Sequence, residues 1–323
     1  MNSPIQATRV LILGAGAIGS FYGAALQVSG AEVSVVCRSD YDAVCAHGYI
    51  IDSQKLGERR LRPAQVIRSA QEYAGGAPDF LVVAVKVVEG TDRVAMMRPA
   101  VGPHTAIVLI ENGVEIEEEI RAAFPDNELI SALAFVQVSR VGPGRVRHFA
   151  FGDLTFGNYP EGVSDKARQF ARMLGAGGIN GTLTDRVVAA RWKKALWNAI
   201  FNPVSVAGGA LDTAQMLGTE EGMATIRRGM EEIRAIAAAT GNPLPAELVD
   251  QFIDATRKAP AYKTSMALDF ENGRPMETEV ILGNVVLAAR REGVPAPTLE
   301  AMYGLMKMIE RKQADRDTAG RAA

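Results

Sequence analysis

Residues 9–28 read RVLILGAGAIGSFYGAALQV, an apolar run, a cluster of glycines, and then an apolar stretch. The run Arg9–Leu13 predicts a buried strand and Ala17–Val28 the helix after it. Between them, Gly14-Ala15-Gly16-Ala17-Ile18-Gly19 places glycines where a dinucleotide fold needs them. The first makes the tight turn, and the second lets backbone approach a pyrophosphate. The third lets helix pack closely on strand, so that the N–H groups at the helix start face the phosphates. The pattern alone also fits ordinary turns. Its position between strand and helix, with a second strand at Glu32–Val36, makes it a dinucleotide-binding fingerprint.

Further along, Asp79–Val85, Ala106–Ile110 and Leu129–Val138 are short apolar runs separated by helical or polar stretches. Such runs belong to a parallel sheet covered on both faces. Arg145–Phe156 predicts a hairpin or strand pair closing this part of the chain. From about Thr184 the strand-like runs vanish. Helical patterns cover Arg186–Phe201, Glu220–Thr240, Ala246–Arg257, Met276–Glu292 and Thr298–Gln313, with Gly and Pro residues as stops. The expected fold class is α/β: a Rossmann-type doubly wound sheet domain over 1–183, followed by an all-α C-terminal domain over 184–323. A chain of 323 residues suits two domains. The polar tail from Asp315 is expected to fray.

Composition excludes several classes. Lys and Arg number 35 against 37 Asp and Glu, without the basic excess of a general nucleic-acid binder. No apolar stretch approaches the roughly 20 residues of a membrane span. The start, MNSPIQATRVLILGAG, lacks a charged segment followed by a cleavable apolar one. Cys37 and Cys45 form no CxxC pattern and have no spaced His partners, which argues against a disulfide framework or a structural zinc site. These features point to a cytoplasmic protein with no metal, nucleic-acid partner or membrane anchor.

The tip of the second strand bears on the coenzyme. An NAD-selective site carries Asp or Glu there for the ribose 2′-OH, whereas this chain reads Val36-Cys37-Arg38-Ser39-Asp40. Arg38 can pair with a 2′-phosphate, which favours NADPH, although a solvated surface arginine is the plainer alternative. Asp40 falls two residues late and can simply cap a helix. Lys86 ends the strand Phe80–Val85, and Asn112-Gly113 follows Ala106–Ile110. Strand ends of a parallel sheet point into the ligand crevice, but ordinary turn chemistry explains Asn-Gly equally well.

In the helical half, Lys194, Asn198 and Asn202 are spaced i, i+4, i+8 and share one stripe. Trp192, Leu196, Trp197, Ile200 and Phe201 surround them with apolar surface. A polar stripe on such a helix suggests a cleft wall, because burial without partners is costly. The alternative is solvated lysines and asparagines bonded to loops. Pro203 is expected to end or bend the helix at Asn202. Reduction of a carbonyl needs a proton donor. His47, His104 and His148 read as structural or surface residues, while Lys194, next to Lys193 and flanked by tryptophans, can donate if its pKa is lowered.

These motifs together resemble the 2-dehydropantoate 2-reductase (ketopantoate reductase) family. The resemblance rests on GAGAIG, Lys86, ENG around Asn112, VGPGRVRH at 141–148, WKKALWNAIFNP at 192–203, TSMALD at 264–269 and GRPMETE at 273–279. It implies a Rossmann domain plus a helical domain with the site between them. The implied activity is NADPH-dependent reduction of 2-dehydropantoate to (R)-pantoate, in pantothenate and coenzyme A biosynthesis. The implied proton donor is Lys194, and Asn198, Asn202, Ser265 and Glu277 would bind substrate. Gly14, Ala15, Gly16, Ala17, Ile18, Gly19, Arg38, Lys86, Asn112 and Glu277 would bind NADPH. Glu279 competes with Glu277 for the acidic role. Two departures, Leu282 where the family often has Asn and Asp212 where some members have an asparagine used for substrate, leave room for another branched 2-oxo acid. A non-catalytic NADP-binding sensor is the reading from a different class. The apolar face Ile281, Val285, Ala288 is either core or a subunit contact, the latter making a homodimer.

Overall fold

The computed structural model describes residues 7–322, with side chains as far as Asp315. The first six residues of the N-terminal stretch that was read for a leader lie outside them, as does Ala323. β1 (Arg9–Leu13) leads through the glycine turn into α1 (Ala17–Val28) and β2 (Glu32–Val36), as the sequence predicts. Next come α2 (Tyr41–His47), β3 (Tyr49–Ser53), β4 (Gly57–Leu61) and β5 (Val66–Ile67). Then follow β6 (Phe80–Val83), α3 (Arg93–Met97), β7 (Ala106–Ile110), α4 (Glu118–Ala123), β8 (Leu129–Gly142), β9 (Arg145–Asn158), α5 (Asp165–Ala176) and β10 (Gly181–Leu183). The remainder is helical: α6 (Val187–Ala207), α7 (Thr213–Leu217), α8 (Glu220–Ala239), α9 (Glu247–Lys258), α10 (Ser265–Glu271), α11 (Asn284–Glu292) and α12 (Pro297–Ala322).

The strands form one sheet in the order β4-β3-β9-β8-β7-β6-β1-β2-β5, with β10 beside β9. Neighbours from β5 through β8 pair in parallel, and β8 pairs antiparallel with β9. The strand after β1 lies on one side of it, and β6 lies on the other. That reversal of strand order is where ligands bind in open α/β sheets. One face of the sheet is closed by Phe21, Tyr22 and Leu26 of α1 and by Phe170 and Leu174 of α5, packed on Val10, Ile12, Val33 and Phe80. Each large side chain fully buried this way contributes about 1.5–3 kcal/mol.

The hairpin of β3 and β4 has no counterpart in the sequence reading. Four of the five β4 residues, GERRL, are exposed, so its pattern reads as polar loop. Charged side chains on an edge strand protect it from pairing with another chain, and they erase the apolar alternation that reveals interior strands. A second difference concerns Pro203, which does not end its helix: α6 runs on to Ala207. Phe201, Asn202, Ser205 and Val206 around it are all buried, and packing of this kind outweighs the roughly 3 kcal/mol cost of an interior proline. The helix α12 extends to Ala322, past Asp315. The face Ile281, Val285, Ala288 is core, at 3%, 0% and 0% exposure.

The chain forms two compact units. One comprises the chain up to Val87, Thr91–Glu111 and Ile116–Val187; the other comprises Val88–Gly90, Asn112–Glu115 and everything from Val188. The boundary between the units before the long helical stretch falls inside the first turn of α6. In addition, two short segments of the sheet half belong with the helices.

Candidate active site

The sheet unit carries the glycine turn. Gly14 sits at φ +90°, and a Cβ there would lie 2.6 Å from the Val85 side chain and 2.9 Å from its backbone nitrogen, so only glycine fits. The carbonyl of Ala15 accepts from the buried hydroxyl of Tyr49, and Ala15 N–H donates to Val36 O at 3.1 Å. The turn is therefore tied to both β2 and β3. Gly16 caps α1, has open space where a side chain would stand, and leads into a first helical turn without acidic residues. That unobstructed helix start favours an anion, so the residues present fit the diphosphate of a dinucleotide.

At the β2 tip, Arg38 is exposed, and its guanidinium has no partner among the described residues. Asp40 is buried at 3% exposure. It makes no side-chain cap to α2. Instead its carboxylate accepts from Gly144 N–H at 3.2 Å and pairs with Arg140 at 3.3 Å. The nearest acid is thus spent on protein contacts, which leaves a cationic rim suited to a 2′-phosphate. Lys86 is exposed three residues beyond β6.

The helical unit assembles the other group. Lys194 Nζ donates to Asn112 Oδ1 at 2.8 Å, and Asn112 Nδ2 donates to Glu277 Oε2 at 3.0 Å. One amide therefore orients both an ammonium and a carboxylate. Burial pushes the Lys194 pKa down to about 8; the Arg191 guanidinium adds to the shift and the Glu277 carboxylate opposes it. Lys194 is thereby a weaker base, and a readier acid, than a solvated lysine. Asn112 lies on the segment Asn112–Glu115, and all of its residues bond to helices of the same unit. Gly113 O accepts from Arg191 at 3.0 Å, Val114 O accepts from Asn284 at 2.7 Å, and Glu115 meets Arg291 through both carboxylate oxygens. Gly113, at φ +100°, passes so close to Val280 that a Cβ would lie 2.4 Å from its carbonyl oxygen.

Two acids competed on sequence, and their environments separate them. Glu279 accepts from the Tyr303 hydroxyl at 2.8 Å and the Lys307 ammonium at 2.6 Å, both on α12. Glu277, 8% exposed, is the one joined to Asn112. The helix expected from Met276 begins only at Thr278, with a π-helical turn over Glu279–Gly283 leading into α11. Glu277 therefore stands just ahead of the helix, its carbonyl accepting from Ile281 N–H at 3.1 Å. Arg274, which donates to Asp269 at 2.9 Å, ties down the loop before it.

The polar stripe of α6 splits in use. The Asn198 side chain is partly buried and has no hydrogen bond among the described residues. Asn202, 1% exposed, donates to Asn198 O at 3.0 Å and accepts from Met266 N–H at 3.3 Å. It therefore fixes the first turn of α10, on which the exposed Ser265 stands. Asp212 is the capping box of α7, bonded to Gln215 N–H at 2.8 Å, and Leu282 is fully buried. His148 is buried and bonded to Ser53 and to Ala150 O, while His47 and His104 are exposed. Among the described residues no cluster of His, Cys, Asp or Glu could hold a metal ion, and no helix is long and apolar enough to cross a membrane.

Arg191 and Tyr49 join the site although neither is among the residues expected from sequence. Arg191 lies three residues before Lys194, the spacing that brings helical side chains together, so a signal existed. Tyr49 had none, because its partner is a backbone carbonyl remote in sequence.

The comparisons agree along the chain. The model of the family "Ketopantoate reductase PanE/ApbA" matches residues 10–161, and that of its C-terminal part matches 186–310. A 2-dehydropantoate 2-reductase of Nostoc sp. is 30% identical over 304 residues, covering 93% of this chain and 94% of its own. The crystal structure of 2-dehydropantoate 2-reductase from Methylococcus capsulatus is 53% identical with a TM-score of 0.89, over 94% of this chain and 97% of that one. A D-mandelate dehydrogenase solved with NADH and anilino(oxo)acetate, 21% identical with a TM-score of 0.86 over 95% and 99% of the two chains, shares the fold. The chain belongs to the ketopantoate reductase family and is an oxidoreductase that uses a pyridine nucleotide.

Proposed function

We propose that this chain reduces 2-dehydropantoate to (R)-pantoate with NADPH, for the synthesis of pantothenate and coenzyme A. The observation that carries this reading is the Lys194 ammonium, pKa about 8, held by Asn112, whose amide also holds Glu277. NADPH, when bound, supplies the hydride that adds to the C2 keto carbon. Lys194 delivers a proton to the C2 oxygen as it becomes an alkoxide. Asn112 keeps that ammonium aimed, and Glu277 accepts from a substrate or ribose hydroxyl.

Asn198 and Ser265 bind the carboxylate and hydroxyl of the 2-oxo acid, with Asn202 holding the start of α10 in place for Ser265. Gly14, Ala15, Gly16, Ala17, Ile18 and Gly19 receive the diphosphate. Arg38 takes the 2′-phosphate, and Lys86 adds positive charge at the same sheet end. The enzyme works in the cytoplasm; the precedent for a homodimer is the dimeric ketopantoate reductase from Staphylococcus aureus, and light scattering decides the assembly of this chain.

The purified protein with NADPH and 2-dehydropantoate should lose the absorbance of reduced nicotinamide. Faster turnover of another branched 2-oxo acid would reassign the substrate. That alternative drew on Leu282 and Asp212, which serve the core and a helix cap. Failure with every 2-oxo acid would leave a nucleotide-binding sensor.

A further inference from the structure

Arg93, at the start of α3, is 3% exposed, and its guanidinium reaches both ends of one loop. Nη1 donates to Glu111 Oε2 at 2.8 Å, and Nη2 donates to Ile116 O at 2.8 Å and to Glu119 Oε2 at 2.9 Å. Glu111 and Ile116 are the residues immediately before and after Asn112–Glu115, the segment whose Asn112 holds Lys194 and Glu277. The Glu111 side chain is wholly buried, so the pair sits in surroundings where charge attraction is strong and poorly screened. A planar guanidinium donates in fixed directions to several acceptors at once, which a lysine ammonium cannot reproduce.

We propose that Arg93 is a positioning residue for the proton donor. By fixing Glu111 and Ile116, it sets the course of the backbone that carries Asn112, and through Asn112 it sets the place of Lys194 and Glu277. Small displacements of a reacting group cost heavily in rate, so a buried tie at both ends of this segment serves catalysis as well as folding.

Two variants test this, resting on the reductase reading for their kinetics. R93K keeps the charge but loses the fork, and R93M/E111Q removes the pair without stranding a buried charge. Both should bind NADPH as the wild type does, while kcat for the 2-oxo acid falls about 10- to 100-fold and KM changes less. The alkaline limb of the kcat profile should move from about 8 toward the ordinary lysine value, as Lys194 loosens from Arg191 and Glu277 and gains water.

The same titration is read without turnover by NMR of protein labelled with 13C at lysine Cε, the Lys194 signal being assigned by its loss in K194R. A Lys194 titration and a kcat both equal to wild type, in whichever of the two variants folds, would overturn the proposal, even if melting temperature fell. If the wild type itself turned over no 2-oxo acid, the reductase reading would fail, and the NMR titration would still decide the role of Arg93.

Discussion

Arg38 and Lys194 use positive charge in opposite ways. Arg38 stands exposed at the end of β2, its guanidinium without a partner among the described residues. Lys194 is held by Asn112 within the helical unit, with its pKa pushed down to about 8. An exposed cation attracts an anion and is screened by salt. A desolvated one is poised to give its proton away. The first arrangement suits recognition and the second suits chemistry, and the two should respond differently to substitution, pH and salt.

The largest effect is expected at the desolvated charge. K194A should lower kcat by about 10³–10⁴, with NADPH affinity retained in a fluorescence titration. Near-normal turnover would remove Lys194 from the mechanism. E277Q comes next, with kcat reduced about tenfold or more. Glu277 holds the Lys194 pKa up, so its loss should shift the alkaline limb of activity to lower pH; a shift to higher pH would contradict the assigned electrostatics.

At the exposed charge, R38A should weaken NADPH about tenfold, roughly 1.4 kcal/mol, and leave NADH unchanged. The difference should shrink in high salt, and an unchanged preference would assign Arg38 to the solvent.

The smallest effect is on stability. Between about pH 8 and 10.5, the unfolded chain keeps a proton on Lys194 that the folded chain has released. Stability should therefore rise with pH across that window while activity falls. Below about 8 both states are protonated, and the cost of the buried charge is present in full. K194M should lack this rise in denaturant melts at stepped pH.

Legibility followed the range of the interactions. The glycine turn was readable because its requirement is local: a positive φ at Gly14 and a backbone pressed on Val85. The helix stripe with Lys194 and Asn198 was readable from periodicity. The edge strand β4 was not, since its charged residues hide the strand pattern. Pro203 misled because a local propensity was outweighed by burial on every side. Between Glu277 and Glu279 the sequence offers only the spacing from Ser265 and Asp269; residues of α12, remote in the chain, take Glu279 and leave the other.

Sequence alone thus determined the sheet-then-helix order, the glycine turn and the candidate lysine, because each depends on neighbours within a turn or two of chain. Tertiary structure alone decided that Asp40, Glu279 and Asn202 are occupied by partners remote in the chain, and that Lys194 is desolvated and placed beside Glu277. The reason is physical: hydrogen bonds and desolvation act through space over a few ångströms, and the folded chain brings residues more than 80 positions apart within that reach.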